Sequence, residues 1–238
     1  MARSVAKAAD FTTTERRLIA RLATPHAVQR YLNRLTYNTE PDGPALRSFR
    51  AVARDRTAHC LEAVLFAATV LEQHGYPPLV VSFESADYLD HVLFIYRTPR
   101  GWGAIARSRD PGLHGRRPVF RTPRQLAASY REPYIDATGR IQGYAVVDLR
   151  DLGRYNWRTS SRHVWKVERT LADLPHQRLT TPDAQVDRWR ARYLRFVDRF
   201  PGCKPMFFDG REYWSELPAA YRRVVGRGDT RRACPQGR

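Results

Sequence analysis

The chain has 238 residues, 42% hydrophobic and 11% aromatic, which excludes a disordered protein and suffices for a core without disulfide or metal staples. No stretch of about eighteen apolar residues occurs, and the opening MARSVAKAADFTTTERR lacks the apolar run of a secretory leader, so no membrane helix and a cytoplasmic location are expected. The formal charge is +17 and, with Lys7, Lys166 and Lys204 the only lysines, is carried almost wholly by arginine. A GC-rich coding sequence would produce that bias, and the rival explanation is an acidic partner such as nucleic acid.

Helix starts recur as Thr followed by Pro, an N-cap and a first helical residue. An amphipathic helix over Thr13 to Leu22 comes first, on Leu18, Ile19 and Leu22. Thr24-Pro25 opens a helix to about Leu35, and Tyr37 to Pro44 is a loop. The segment Ala58 to His74, AHCLEAVLFAATVLEQH, is apolar on nearly every face, as a helix buried in a core is. Thr57 is its expected N-cap, and Gly75 with Pro77-Pro78 ends it. Strands follow at Leu79 to Phe83, His91 to Arg97 and Trp102 to Arg107, the last two joined by a tight turn at Thr98-Pro99-Arg100-Gly101. Ser108 to Tyr130 is rich in turn formers and arginine, with His114 and Arg116-Arg117, and reads as a solvated loop or as the lining of a cleft that binds a carboxylate. Within it Thr122-Pro123 opens a short helix to about Tyr130. A strand at Tyr144 to Leu149, a helix at 161–172 and a longer helix from Thr181-Pro182 to about Phe200 complete the pattern. Trp189, Tyr193, Phe196 and Phe200 share the spacing of a core-packing face. The fold class is α+β: a buried helix carrying Cys60 packed on an antiparallel sheet, with additional helices. One domain over 1–225 is expected, its core at about 45–150 and a helical extension at about 160–225, followed by a disordered tail over 226–238.

Cys60, Cys203 and Cys234 are too few and scattered for a disulfide framework and match no zinc spacing, in keeping with a reduced compartment. Cys60 stands apart because it opens the buried helix, where unpaired N–H groups and the helix dipole favour a thiolate. A thiol nucleophile needs a base within reach, and His91, at the head of a strand, is the candidate. With the turn centred on Pro99-Arg100, cross-strand partners sum to 199, so Ser108 faces His91 and Asp110 lies one diagonal step beyond. His59 adjoins the cysteine but points elsewhere on a helix, Glu62 lies on another face, and Asp90 points to the opposite side of the strand from His91.

His59-Cys60-Leu61-Glu62-Ala63, then Asp90-His91-Val92, then Gly101-Trp102, in this order within roughly residues 50–115, resemble the transglutaminase-like superfamily of papain-type cysteine enzymes. The resemblance implies a Cys-His-Asp triad that attacks amide carbonyls, with Cys60 as nucleophile, His91 as general base and no cofactor. The third member departs from the family. Its aspartate, a few residues after the tryptophan, falls here near Ala106, leaving Ser108 as substitute, Asp110 swung inward, or an incomplete triad. The resulting expectation is a cysteine hydrolase or acyltransferase of the peptidase or amidase type, acting on amide or isopeptide bonds of a protein or peptide substrate. The oxyanion would be held by backbone N–H groups at the helix start, Cys60's included. The alternatives are a non-catalytic binding module on the same fold and an arginine-rich nucleic-acid binder.

Overall fold

The computed structural model describes residues 10–221; the tail expected to be disordered lies outside them. In chain order the elements begin with helices α1 (Thr13–Arg21) and α2 (Pro25–Leu32), strand β1 (Thr36–Tyr37), helix α3 (Phe49–Asp55) and strand β2 (Thr57–Ala58). Helix α4 (Cys60–Glu72) leads into strands β3 (Leu79–Ser85), β4 (Val92–Thr98), β5 (Gly101–Ile105) and β6 (Arg116–Phe120). Helix α5 (Pro123–Ala128), strand β7 (Ile141–Asp148), helix α6 (Trp165–Ala172), strand β8 (Gln177–Arg178) and helix α7 (Asp183–Arg199) follow.

The architecture is mixed α and β, built on a six-stranded antiparallel sheet in the order β6-β5-β4-β3-β7-β8. Alternate residues of β3 and β4 serve opposite faces. Val80, Phe94 and Tyr96 join the core formed with α1 to α4, whereas Val81, Leu93 and Ile95 pack with Leu126 and Tyr130 around α5. A sheet buried on both faces explains why its central strands are apolar without alternation. Helix α4 is buried from Leu61 to Leu71, between α2 and α3 on one side and β4 on the other. Phe49, Phe66 and Phe94 are wholly buried, each contributing about 1.5–3 kcal/mol of hydrophobic stabilisation.

The hairpin register follows the sum of 199: Phe94 pairs with Ile105, Ile95 with Ala104 and Thr98 with Gly101. The ladder stops at Ile105 for a reason remote in sequence. The Gln29 side chain on α2 takes both backbone groups of Ala106, Nε2 donating to its carbonyl at 3.0 Å and Oε1 accepting from its N–H at 3.1 Å. The chain therefore leaves β4 before it reaches the level of His91.

The sequence reading needs correction at five places. The cap of α4 is His59, not Thr57, because Thr57 and Ala58 are drawn into parallel pairing with Thr36 and Tyr37. Helix α3 was not foreseen, though Ser48 caps it with a bond from the Ala51 N–H. The stretch Ser108 to Tyr130 is no solvated loop: it holds β6, and His114, Arg116 and Tyr130 are fully buried. Thr181 does not cap α7, whose N-cap is Pro182, with no side-chain cap bond. Trp189, Tyr193, Phe196 and Phe200 are half-buried rather than core, since α7 lies over the C-terminal segment, with Phe196 against Phe207 at 5.3 Å.

Candidate active site

The first turn of α4 is built as a capping box. His59 Nδ1 accepts from the Leu61 N–H at 3.2 Å, and Glu62 Oε2 reaches back to the His59 N–H at 2.9 Å. Glu62 is fully buried yet hydrogen-bonded on both oxygens: the same oxygen accepts from Asn38 Nδ2 at 3.1 Å, and Oε1 from the Arg47 N–H at 3.0 Å. These bonds fix the start of the helix and therefore Cys60 itself, at its first position. Cys60 is free and half-buried.

Two imidazoles bear on the Cys60 sulfur. Burial raises the thiol pKa, but hydrogen bonding from His59 and His91 and the charge on each outweigh it and bring it down to about 6. His59 is pulled in two directions. Burial disfavours its charged form, while hydrogen bonding to the Cys60 thiolate, that thiolate's charge and Glu62 raise its pKa to about 9. Its cap geometry is that of the neutral ring, with Nε2–H on the Ala45 carbonyl at 2.9 Å and Nδ1 bare for Leu61. A proton on Nδ1 costs that cap bond, so the charged ring and the cap compete for one nitrogen.

His91 sits at the head of β4, buried, with its Nε2 2.9 Å from the Leu113 carbonyl. A carbonyl only accepts, so Nε2 carries the proton and Nδ1 is the basic nitrogen of the neutral ring. The orienting group is thus a main-chain oxygen, which corrects both candidates for the third member. The Ser108 hydroxyl accepts from the Asp110 N–H at 3.0 Å, and the Asp110 carboxylate pairs with Lys204 Nζ at 2.7 Å. Neither bonds to His91. Asp90 is likewise engaged elsewhere, accepting from the Ser85 N–H at 2.9 Å.

Cys60, His59 and His91 line a cleft of about 780 Å³ that Tyr37, Tyr134 and Trp165 also border. Burial, and then the Cys60 charge, push the Tyr37 phenol pKa up, so it keeps its proton at the pH where the thiolate exists. At the rim, Tyr88 is 92% exposed on a left-handed residue, φ 61°. Its loop is held by Asp87, which accepts from Ser85 Oγ and Thr138 Oγ1, and by the Tyr134 hydroxyl on the Leu89 carbonyl.

Sequence reasoning brought Cys60 and His91 forward, wrongly set His59 aside as pointing elsewhere on a helix when it is the N-cap beside the sulfur, and missed Gln29, Tyr37 and the Leu113 carbonyl. His59 had a legible signal, since His-x-x-Glu over 59–62 has the spacing of a capping box. A main-chain acceptor has none. No family model matches the chain, and neither does any curated protein.

Proposed function

We propose that this chain is a transglutaminase-like cysteine hydrolase or acyltransferase acting on amide or isopeptide bonds. The observation that carries the reading is a thiol at a helix start, its pKa lowered to about 6, beside a histidine whose remote nitrogen is held on a carbonyl. Perturbed nucleophiles of this kind concentrate at reactive sites. In the reaction His91 Nδ1 takes the Cys60 proton and the thiolate adds to the amide carbonyl. The C–N bond then breaks as the imidazolium returns its proton to the leaving amine, leaving a thioester. Water or a second amine attacks the thioester, His91 accepts the attacker's proton, and the thiolate leaves as the acid or new amide forms. Of the first-turn amides, that of His59 is taken by Glu62; the Cys60 N–H is the donor offered to the oxyanion.

Incubation with a panel of activated amides and peptides tests the reading. The expected outcome is amine release with a thioester adduct on Cys60 visible by intact mass, both abolished in Cys60→Ala. Amine release that survives Cys60→Ala would refute it. The neutral acceptor on His91, in place of a carboxylate, favours a second reading on the same fold, a non-catalytic binding module. Peptide binding without an adduct under the same conditions is its signature.

A further inference from the structure

We propose that Arg116 is a positioning residue for the Cys60–His91 pair, acting by fixing the one carbonyl that orients His91; the proposal rests on the catalytic reading above. Arg116 is wholly buried, and among the described residues no carboxylate pairs with it. Its guanidinium is spent instead on main-chain oxygens. Nη1 donates to the His114 carbonyl at 2.8 Å and Nη2 to the Gly112 carbonyl at 2.7 Å, with Nε on Ser129 Oγ at 3.2 Å. Gly112 and His114 are the two neighbours of Leu113. With the carbonyls on both sides drawn to one guanidinium, the Leu113 carbonyl is the one presented to His91 Nε2.

Burying a charge without a counter-charge is costly, and burial does push the Arg116 pKa down. An apolar side chain would fill the space without that cost. What it would not supply is a planar fork that holds two carbonyls two residues apart. The surroundings serve the same loop. The Tyr130 ring lies under the guanidinium at 3.9 Å, and its hydroxyl donates to the same His114 carbonyl at 2.9 Å. Gly112 is pressed so closely that a Cβ would meet Pro133 Cβ at 2.6 Å. A backbone acceptor is only as well placed as its loop, and this loop is braced at the residues either side of the acceptor.

The test needs no substrate. In the full-length chain labelled with ¹⁵N at histidine, the His91 ring resonances report the Nε2–H bond. The pH midpoint of Cys60 alkylation by iodoacetamide reports the thiolate. Arg116→Lys, which keeps the charge and loses the fork, is expected to hasten exchange of the His91 Nε2–H and to raise the midpoint by about one unit. Tyr130→Phe, a milder change suited to the case where Arg116→Lys fails to fold, should move both readouts in the same direction by less. Arg158→Lys weakens the buried pair with Glu72, remote in the fold, and should lower the melting temperature while leaving both readouts in place. The proposal is overturned if Arg116→Lys and Tyr130→Phe lower the melting temperature and leave the His91 resonances and the midpoint unchanged. A wild-type midpoint in the ordinary thiol range, unaffected by His91→Ala, would instead remove the catalytic reading, and the His91 resonances would still judge Arg116.

Discussion

At the residue scale, the unusual feature is a cysteine between two imidazoles. The linkage of their protons sets a pH window. A thiol with a lowered pKa is thiolate above about 6, and an imidazole with a raised one stays protonated below about 9. The Cys60–His59 charge pair is therefore confined between these values, and amide cleavage should rise through about pH 6. A rate that instead rises only near pH 8.5, the ordinary thiol value, would show the thiol unperturbed. Ser108 and Asp110 were the sequence candidates for the third member, and their bonds lead elsewhere. Ser108→Ala and Asp110→Asn should each change the cleavage rate by less than about twofold, against about 10⁴ for a carboxylate lost from a serine-enzyme triad. A large loss in Asp110→Asn, measured on the same substrate, would return the aspartate to the triad.

At the scale of elements, sequence periodicity went far and stopped at a definite place. Helix α4 announced itself by being apolar all round, and the tight turn at Thr98 to Gly101 set the register of β4 on β5 correctly. The register was then extended past Ile105 to Ser108, where it does not hold, because Gln29 on α2 captures the Ala106 backbone. Nothing near residue 106 in sequence signals a partner 77 positions away. Long-range side-chain to main-chain bonds of this kind carry no local pattern. Gln29→Leu should leave two buried backbone groups unpaired and cost about 2–6 kcal/mol, measured by denaturant unfolding. A loss below about 0.5 kcal/mol would mean that β5 can extend along β4 without the clamp. The aromatic face of α7 was misjudged for a related reason: periodicity shows which residues share a face but not how thickly that face is covered.

At the scale of the molecule, the core lies on both sides of one sheet, and the cleft opens where α4 begins and β4 starts. The buried Arg158–Glu72 pair, 2.6 Å apart with both side chains about 5% exposed, joins the far end of α4 to the segment after β7. Glu72→Gln should lower stability, because a buried ion pair loses its carboxylate charge; thermal unfolding unchanged from wild type would contradict this.

The central claim is that His91 helps to keep Cys60 ionised near neutral pH. The pH dependence of Cys60 alkylation by iodoacetamide, in wild type and in His91→Ala, tests it most directly. A wild-type midpoint near 6 that moves up toward the ordinary thiol value of about 8.5 in His91→Ala is the predicted result. A midpoint that starts in the ordinary range, or that His91→Ala leaves where it was, would contradict the claim.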